Sequence, residues 1–343
     1  MRKRRKETKK AMKNEIRQKK KANLRRKILG GTLLAAGISS AGLYLGADAF
    51  CRKAVVRQKP SKRKGKFKKE EGFLVSYPEE SAAGKEWLHG QKLERITIES
   101  FDGLQLAADF LSAPDARGTV LLVHGYRSTP AHCFSCLAKY YHEKGLNLLL
   151  IYNRACGPSE GKYITMGAKE SHDIADWADW TEERFGSDRD IFLHGISMGA
   201  TAVLLASRFA LPQNVRGIIA DCGFTSPHDI FSHVLKTDYH LPKFPLFYLV
   251  EFLIARRAKF RLKMTDTRRA MQENRIPVLF IHGGSDDFVP ASMSLENYRA
   301  CAAEKMLYIV EEAKHGEASF ADWKGYTRAL EAFFRRFGRN SGV

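Results

Sequence analysis

Residues 195–199 read Gly-Ile-Ser-Met-Gly and place one serine between two glycines. The preceding residues 190–194 form a short apolar run typical of a buried strand, and residues 200–206 have a helical composition. In a sharp strand-to-helix turn, glycines at these two positions avoid collisions and the serine hydroxyl is raised above the sheet edge. The first N–H groups of the helix, beginning with Met198, can then stabilise a negatively charged oxygen. The motif predicts Ser197 as a nucleophile that attacks a carbonyl carbon.

A serine hydroxyl is a weak nucleophile without a base. His315 follows the last predicted strand, in the loop before the closing helix. The carboxylate that orients such a histidine is expected after an earlier strand, where Asp286 lies. Asp221, at the end of another predicted strand, is a rival for this role. The remaining histidines at strand ends, His124 and His282, are expected to fix loops through hydrogen bonds.

The chain alternates between strand and helix patterns from residue 94 onward. Continuous apolar strands that alternate with helices predict an α/β fold, with a mostly parallel central sheet and helices on both faces. Predicted strands cover 95–99, 104–111, 118–123, 146–152, 190–194, 215–221, 277–282 and 306–310. Predicted helices cover 130–144, 168–185, 200–206, 291–303 and 320–337.

Residues 222–276 interrupt this alternation. A loop of that length without secondary structure is improbable in a compact domain, so we expect a helical cap insertion at about residues 225–275. Its apolar stretch at 244–254 contains a glutamate and is too short to cross a membrane. Two interpretations stay open, because periodicity does not separate an acyl-binding wall from ordinary core of the insertion.

These motifs resemble the α/β-hydrolase superfamily, and most closely its bacterial membrane-anchored members of the serine-aminopeptidase-like group. The resemblance covers about residues 90–340. Residues 121–126 resemble the strand and loop of the family's oxyanion hole, which implies the backbone N–H of Tyr126 as a second donor beside that of Met198. The fold implied is an α/β-hydrolase fold.

The family motif His-Gly-x-x-Asp-x-x-Val-Pro is matched by residues 282–290 and selects Asp286 as the acid. One departure follows the fourth strand, where the family often has Asp-x-Arg and this chain has Asn153 before Arg154. The departure puts a structural hydrogen bond of that loop in question and leaves the chemistry untouched.

The positive charge of the chain is concentrated at its beginning. Residues 1–69 carry 25 Lys/Arg against 3 Asp/Glu, whereas residues 70–343 carry 32 against 35. Residues 28–47 are uncharged, and a 20-residue helix is just long enough to cross a bilayer. The predicted organisation is a basic arm at 1–27, a transmembrane anchor at 28–49, a basic linker and lead-in at 50–92, and the hydrolase domain at 93–343.

Two alternatives to the anchor remain. Ala47-Asp48-Ala49 resembles the cleavage site of a signal peptide, and the apolar run could instead be a helix that lies on the globular domain. The favoured interpretation is a single-pass protein of the bacterial cell membrane, whose basic flanks contact membrane lipid. No nucleic-acid partner is expected, because the basic runs lack interleaved aromatic residues apart from Phe67. Sidedness and oligomeric state stay open.

The expected function is hydrolysis of a carboxylic ester or lipid-like acyl substrate, a small molecule, through an acyl-enzyme intermediate. No cofactor and no metal site are expected, because no metal-binding or dinucleotide-binding motif accompanies a suitable element. Cys133 and Cys136 are spaced as C-x-x-C, but there is no second pair, so we expect packing. The alternatives are a serine peptidase or aminopeptidase that acts on short peptides, and a catalytically silent membrane scaffold.

Overall fold

The structure is a computed structural model that describes residues 41–58 and 76–339. Its strands are β1 (Glu94–Glu99), β2 (Gln105–Leu111), β3 (Gly118–Val123), β4 (Leu146–Tyr152), β5 (Asp190–Ile196), β6 (Val215–Asp221), β7 (Val278–Gly283) and β8 (Lys305–Val310). Its helices are α1 (residues 41–55), α2 (Pro78–His89), α3 (Pro130–Cys133), α4 (Ser135–Glu143), α5 (Glu170–Phe185), α6 (Met198–Ala206), α7 (Pro227–Thr237), α8 (Leu246–Ala258), α9 (Thr267–Glu273), α10 (Ala291–Ala300), α11 (Ala318–Ala321) and α12 (Trp323–Phe337).

The eight strands form one sheet in the order β1-β2-β4-β3-β5-β6-β7-β8. The β1–β2 and β2–β4 pairs are antiparallel, and every pair from β4 to β8 is parallel. The residues of β3, β5 and β7 are buried throughout, as expected for strands covered on both faces. The predicted α/β class with a mostly parallel sheet is confirmed. Parallel pairing brings the carboxyl ends of β3, β5, β6, β7 and β8 to the same edge.

Helices cover both faces of the sheet. On one face α12 buries Tyr326, Leu330 and Phe333, whose spacing places them on one side of the helix. On the other face α5 buries Trp177 and α6 is buried along its whole length. Removing a fully buried phenylalanine such as Phe333 would cost about 3–5 kcal/mol of unfolding free energy.

Helix α2 lies in the segment that the sequence predicts to be a linker. It begins at Pro78 with Glu79 and Glu80 in its first turn, a sequence that favours a helix start. Gly84 fits against α4 so closely that a Cβ there would lie 2.1 Å from the Ser135 carbonyl oxygen. Because only Ser81 and Leu88 of this helix are buried, its apolar signal is weak.

Helix α1 crosses the predicted end of the anchor at residue 49. It buries Ala47, Cys51 and Val55, which follow one another at intervals of four and share one face. No helix within residues 41–58 and 76–339 has both the length and the apolar run that a bilayer crossing requires. The arm at 1–27 and residues 28–40 of the predicted anchor lie outside the described residues. Helix α1 packs on the globular domain through this one face, and the choice between a membrane anchor and a helix on the domain stays a prediction for residues 28–40.

The insertion between β6 and β7 is helical. It contains α7, α8, a 3₁₀ turn at Leu262–Met264 and α9. Helix α8 turns Phe247, Val250 and Ile254 inward, into a third apolar cluster that also contains the buried face of α1. Residues 225–275 are called the cap below.

Candidate active site

The turn between β5 and α6 has the strained geometry that its glycines indicate. Ser197 has φ 58° and ψ −117°, and its N–H donates to the Asp221 carbonyl at 2.8 Å. A Cβ on Gly195 would lie 2.2 Å from the carbonyl of Gly199, and a Cβ on Gly199 would lie 1.9 Å from the Val123 carbonyl oxygen. Neither position accepts a side chain. A positive φ at a serine costs about 1–3 kcal/mol, so the surrounding packing holds this turn in place.

The structure brings Ser197, His315 and Asp286 together in one hydrogen-bonded chain. Ser197 Oγ lies 2.9 Å from His315 Nε2, and His315 Nδ1 lies 2.6 Å from Asp286 Oδ2. All three are buried, with Ser197 only 3% exposed. This is the geometry in which the imidazole takes a proton from the hydroxyl while the carboxylate holds the ring.

Asp286 is fixed by several donors. The N–H groups of Phe288 and Val289 donate to its Oδ1 at 3.0 and 2.8 Å. Burial opposes ionisation of this carboxyl, but hydrogen bonds from His282 and His315 outweigh it and lower its pKa below the ordinary value. The carboxylate is therefore ionised at neutral pH, as an imidazole-orienting acid must be.

His282 supports this loop, as its position at a strand end predicts. Its Nε2 lies 2.8 Å from the Val289 carbonyl and 3.1 Å from Asp286 Oδ2, while its Nδ1 lies 2.6 Å from Ser294 Oγ. One ring therefore joins the end of β7, the Asp286 loop and α10.

The two predicted oxyanion donors lie on adjoining segments. Met198 begins α6, where the first N–H groups of a helix have no intrahelical acceptor. Tyr126 lies in the loop directly after β3, and the close approach of Gly199 to Val123 shows that the turn packs on the end of this strand. Their donation to a substrate oxygen stays a prediction.

The loop after β3 is also tied to α1, which the sequence does not indicate. The Tyr126 hydroxyl donates to the Ala54 carbonyl at 2.7 Å, and the Arg127 guanidinium donates to the Lys53 carbonyl at 2.5 Å. The carbonyls in the last turn of a helix have no N–H partner within that helix. The side chains of Tyr126 and Arg127 therefore supply the missing hydrogen-bond donors at the end of α1. Helix α1 is thereby part of the site.

The rival acid, Asp221, has a different partner. Its Oδ2 accepts the Tyr326 hydroxyl at 2.9 Å, and burial raises its pKa to about 6. His194 lies behind the site, with Nδ1 2.8 Å from the Tyr141 hydroxyl and Nε2 3.3 Å from that of Tyr326. Both ring nitrogens of His315 are meanwhile within hydrogen-bond distance of Ser197 and Asp286, so the structure favours Asp286.

Asn153, where this chain departs from the family motif, forms hydrogen bonds directly with His124 at the end of β3. Its side-chain amide donates to the His124 carbonyl at 2.8 Å, and its backbone N–H donates to His124 Nε2 at 3.1 Å. His124 Nδ1 lies 2.7 Å from the Gly125 carbonyl, so this ring fixes the loop as predicted. Arg154 is buried and forms ion pairs with Asp102 and Asp173.

The cap and α1 share an apolar cluster with residues close to Ser197 and Asp286. Met198, next to the nucleophile, and Val289, next to Asp286, belong to the apolar cluster that holds the inner faces of α1 and α8. A surface cleft of about 580 Å³ lies elsewhere, beside residues 187–188 and 210–213. Those residues precede β5 and β6, so the cleft is at the amino ends of the strands, whereas Ser197 is at the carboxyl end.

Cys222, Asp286 and His315 form a group of three potential metal ligands whose atoms lie within 4.8 Å of one another. Burial raises the pKa of the Cys222 thiol well above its ordinary value, which disfavours the thiolate that a metal would need. The hydrogen bond between His315 and Asp286 explains why two of these three residues lie so close together. Cys133 is buried and Cys136 half-buried, and both are free thiols in the packing around α3 and α4.

No protein-family model matches the chain. Among curated proteins, it is 26% identical over 241 residues to the uncharacterized protein YqkD of Bacillus subtilis, which covers 69% of this chain and 78% of that protein. It is 23% identical over 261 residues to the protein bem46 of Schizosaccharomyces pombe, with coverage of 76% and 79%.

Solved structures resemble the chain in fold. The esterase Pf2001 of Pyrococcus furiosus has a TM-score of 0.59 at 17% identity and covers 83% of this chain and 99% of that one. The α/β hydrolase GrgF of Penicillium sp. sh18 has a TM-score of 0.56 at 18% identity, with coverage of 72% and 99%. The acylaminoacyl peptidase of Pyrococcus horikoshii has a TM-score of 0.52 at 15% identity, with coverage of 75% and 43%.

The chain therefore has the α/β-hydrolase fold. The resemblance on which the sequence-based prediction rests is confirmed at the level of that superfamily fold.

Proposed function

We propose that this protein is a serine hydrolase that cleaves carboxylic esters or lipid-like acyl substrates. The observation that carries the proposal is the buried chain from Ser197 Oγ through His315 to Asp286, at 2.9 and 2.6 Å. It lies on a strained turn at the carboxyl edge of the sheet, where catalytic residues of this fold are found.

The reaction begins when Ser197 Oγ attacks the substrate carbonyl and His315 Nε2 takes the hydroxyl proton. Asp286 holds the imidazole through Nδ1 and stabilises its protonated form. The N–H groups of Met198 and Tyr126 stabilise the oxyanion. His315 then donates its proton to the leaving alcohol, which departs and leaves an acyl-serine. Water, deprotonated by the same histidine, hydrolyses that ester and regenerates Ser197.

An ester or acyl substrate is favoured over a peptide because the cluster that contains Met198, the residue after the nucleophile, is apolar. The inner face of α8 presents Phe247, Val250 and Ile254, and that of α1 presents Cys51 and Val55. A peptide with a free amino terminus needs an acidic partner. The acid on α8, Glu251, lies 4.0 Å from His228. A serine peptidase stays the second candidate, supported by the likeness in fold to an acylaminoacyl peptidase.

The membrane assignment is part of the proposal. The uncharged run at residues 28–47, with basic residues on both sides, fits a single-pass anchor whose flanks attract anionic lipid. The domain that carries Ser197 would then be held beside lipid, where acyl substrates are abundant.

The test is activity-based labelling of the full chain with a fluorophosphonate, which reacts with activated serines. We expect labelling of the wild type and none of Ser197→Ala, with Ser226→Ala as a matched control that still reacts. Unlabelled wild-type protein from the same preparation would then be tested on p-nitrophenyl esters of several chain lengths and on aminoacyl anilides. Faster anilide cleavage would establish the peptidase, and a folded wild type that resists the probe would establish the silent scaffold.

A further inference from the structure

The outer face of the cap and the first turns of α1 carry an unusual share of exposed apolar side chains. Twelve large apolar residues are exposed within residues 41–58 and 76–339, and eight of them lie on these two elements. The eight are Tyr44, Leu45, Tyr239, Leu241, Phe244, Tyr248, Phe252 and Met264. Scattered exposed apolar residues are ordinary, but a concentration of this kind marks an interaction surface.

Contacts between α1 and the cap make these residues one surface. The rings of Phe50 and Tyr239 meet edge to face with centroids 5.0 Å apart, and Lys53 donates to the Tyr239 hydroxyl at 3.1 Å. Asp48 of α1 pairs with Arg257 near the end of α8. On α8 itself, Tyr248 and Phe252 are one helical turn apart, and the Phe244 ring lies 6.3 Å from that of Tyr248.

The same surface is basic within a domain that is otherwise acidic. Residues 236–264 carry seven Lys/Arg against two Asp/Glu, although residues 70–343 carry 32 against 35. Lys243, Arg256 and Lys259 are exposed beside the aromatic side chains, and the Arg256 guanidinium lies 6.0 Å from the Phe252 ring centroid. Exposed aromatic residues with basic neighbours are the composition of a surface that inserts into the headgroup region of an anionic bilayer.

We propose that this face of the cap and α1 rests on an anionic lipid bilayer, so that the substrate enters from the bilayer beneath the cap. The sequence supports this occupant, because the uncharged residues 28–40 directly precede α1. The opposite face of α8 belongs to the apolar cluster that contains Met198. The cap thus separates the lipid from the nucleophile by one helix layer. The entry route, but not the lipid contact, rests on the proposed function.

The contact is tested on the full chain without use of its activity. Amide hydrogen exchange of residues 238–264 would be compared in detergent, in phosphatidylcholine vesicles and in phosphatidylcholine vesicles that contain phosphatidylglycerol. We expect slower exchange with phosphatidylglycerol and no change on α12. Neutralising Lys243, Arg256 and Lys259 together is expected to remove the slowing of exchange by phosphatidylglycerol. Each lost charge should lower the affinity for the anionic vesicles by about fivefold. Equal exchange of residues 238–264 in all three conditions would overturn the proposal. That result would include the case in which contacts within the protein already slow the exchange in detergent.

The entry route is tested with the variant Phe244→Gln/Tyr248→Gln/Phe252→Gln, which alters only exposed side chains. We expect it to lose about tenfold in the rate on an ester embedded in phosphatidylglycerol-containing vesicles and to keep its rate on a water-soluble short-chain ester. Trp323→Gln, at an exposed aromatic residue on α12, away from this surface, is the control and should keep both rates. Equal loss on both esters would refute the route. A wild-type protein that cleaves neither ester would refute the proposed function. The hydrogen-exchange test of the lipid contact would still be valid in that case.

Discussion

The Tyr126 hydroxyl donates a hydrogen bond of 2.7 Å to the carbonyl of Ala54, 72 residues earlier in the chain. Tyr126 is also the predicted second oxyanion donor, through its backbone N–H. Its neighbour Arg127 has a positive φ of 54° and donates to the carbonyls of Lys53 and Val56. The loop that carries this predicted donor is therefore held from outside by the end of α1.

Tyr126→Phe should lower kcat and leave KM nearly unchanged. The variant keeps the backbone N–H and the ring but loses the tie to α1, so the cost falls on a group that acts in the transition state. A hydrogen bond of this kind contributes about 1 kcal/mol, which corresponds to about fivefold in rate. Steady-state kinetics on a soluble ester measure it.

Tyr298→Phe, on the outer helix α10, serves as the control and should retain the wild-type kcat. An increase of KM alone in Tyr126→Phe would show that the hydroxyl shapes substrate binding rather than the oxyanion loop.

Asp286→Asn and Asp221→Asn should separate the two candidate acids. In Asp286→Asn the amide cannot stabilise the protonated imidazole, and we expect kcat to fall by about 10³–10⁴-fold with the fold intact. In Asp221→Asn the amide oxygen can still accept from Tyr326, so kcat should change little. The reverse order of activities would make Asp221 the acid and would contradict the hydrogen bonds of His315.

The sheet and the meeting of Ser197, His315 and Asp286 could be predicted because their signals are local in sequence. Buried parallel strands are continuous apolar runs, and the turn at Ser197 requires glycines at fixed positions. The motif around Asp286 favours it over Asp221, and in the structure its Oδ2 lies within hydrogen-bond distance of His315. The two long helical patterns predicted at residues 130–144 and 320–337 are each divided into two helices in the structure.

The role of α1 could not be predicted in the same way. Its bonds to Tyr126 and Arg127 use backbone carbonyls, which carry no residue-type signal, and they join distant parts of the chain. The spacing of Ala47, Cys51 and Val55 does indicate a helix face, but the uncharged run before it dominates the pattern. Helix α2 gives little sequence signal because it buries only Ser81 and Leu88.

His282→Phe should destabilise the protein without abolishing its activity. The substitution leaves Ser294 Oγ, which is 1% exposed, and the Val289 carbonyl without the ring that bonds them, at a cost of about 1–3 kcal/mol in the free energy of unfolding. Asp286 keeps its two backbone donors and His315, so labelling by the fluorophosphonate should persist. Urea denaturation measures the loss, with His89→Gln, an exposed position, as the control. An unchanged urea midpoint of unfolding would show that the hydrogen bonds of His282 do not stabilise the folded protein.

Acidification should destabilise the protein between about pH 6.5 and 4 through His124. Burial lowers the pKa of this ring to about 4, from an ordinary value of 6.5. Protonation would also place a hydrogen on Nε2, which now accepts the Asn153 N–H. In that interval the unfolded chain binds a proton that the folded protein does not, so stability is fully present above pH 6.5 and is lost as the pH falls. The difference of about 2.5 pKa units corresponds to about 3 kcal/mol at most.

The measurement is the free energy of unfolding as a function of pH for the wild type and for His124→Gln, whose amide can donate to Gly125 and accept from Asn153. His194, with a pKa lowered to about 3 by burial, acts in the same direction, whereas Asp221, with a pKa raised to about 6 by burial, acts in the opposite one. The difference between the two profiles isolates His124, and we expect the variant to be the less sensitive to acid. Parallel profiles would mean that His124 binds its proton equally readily in the folded and the unfolded protein, which would contradict the acceptor role of its Nε2 toward the Asn153 N–H.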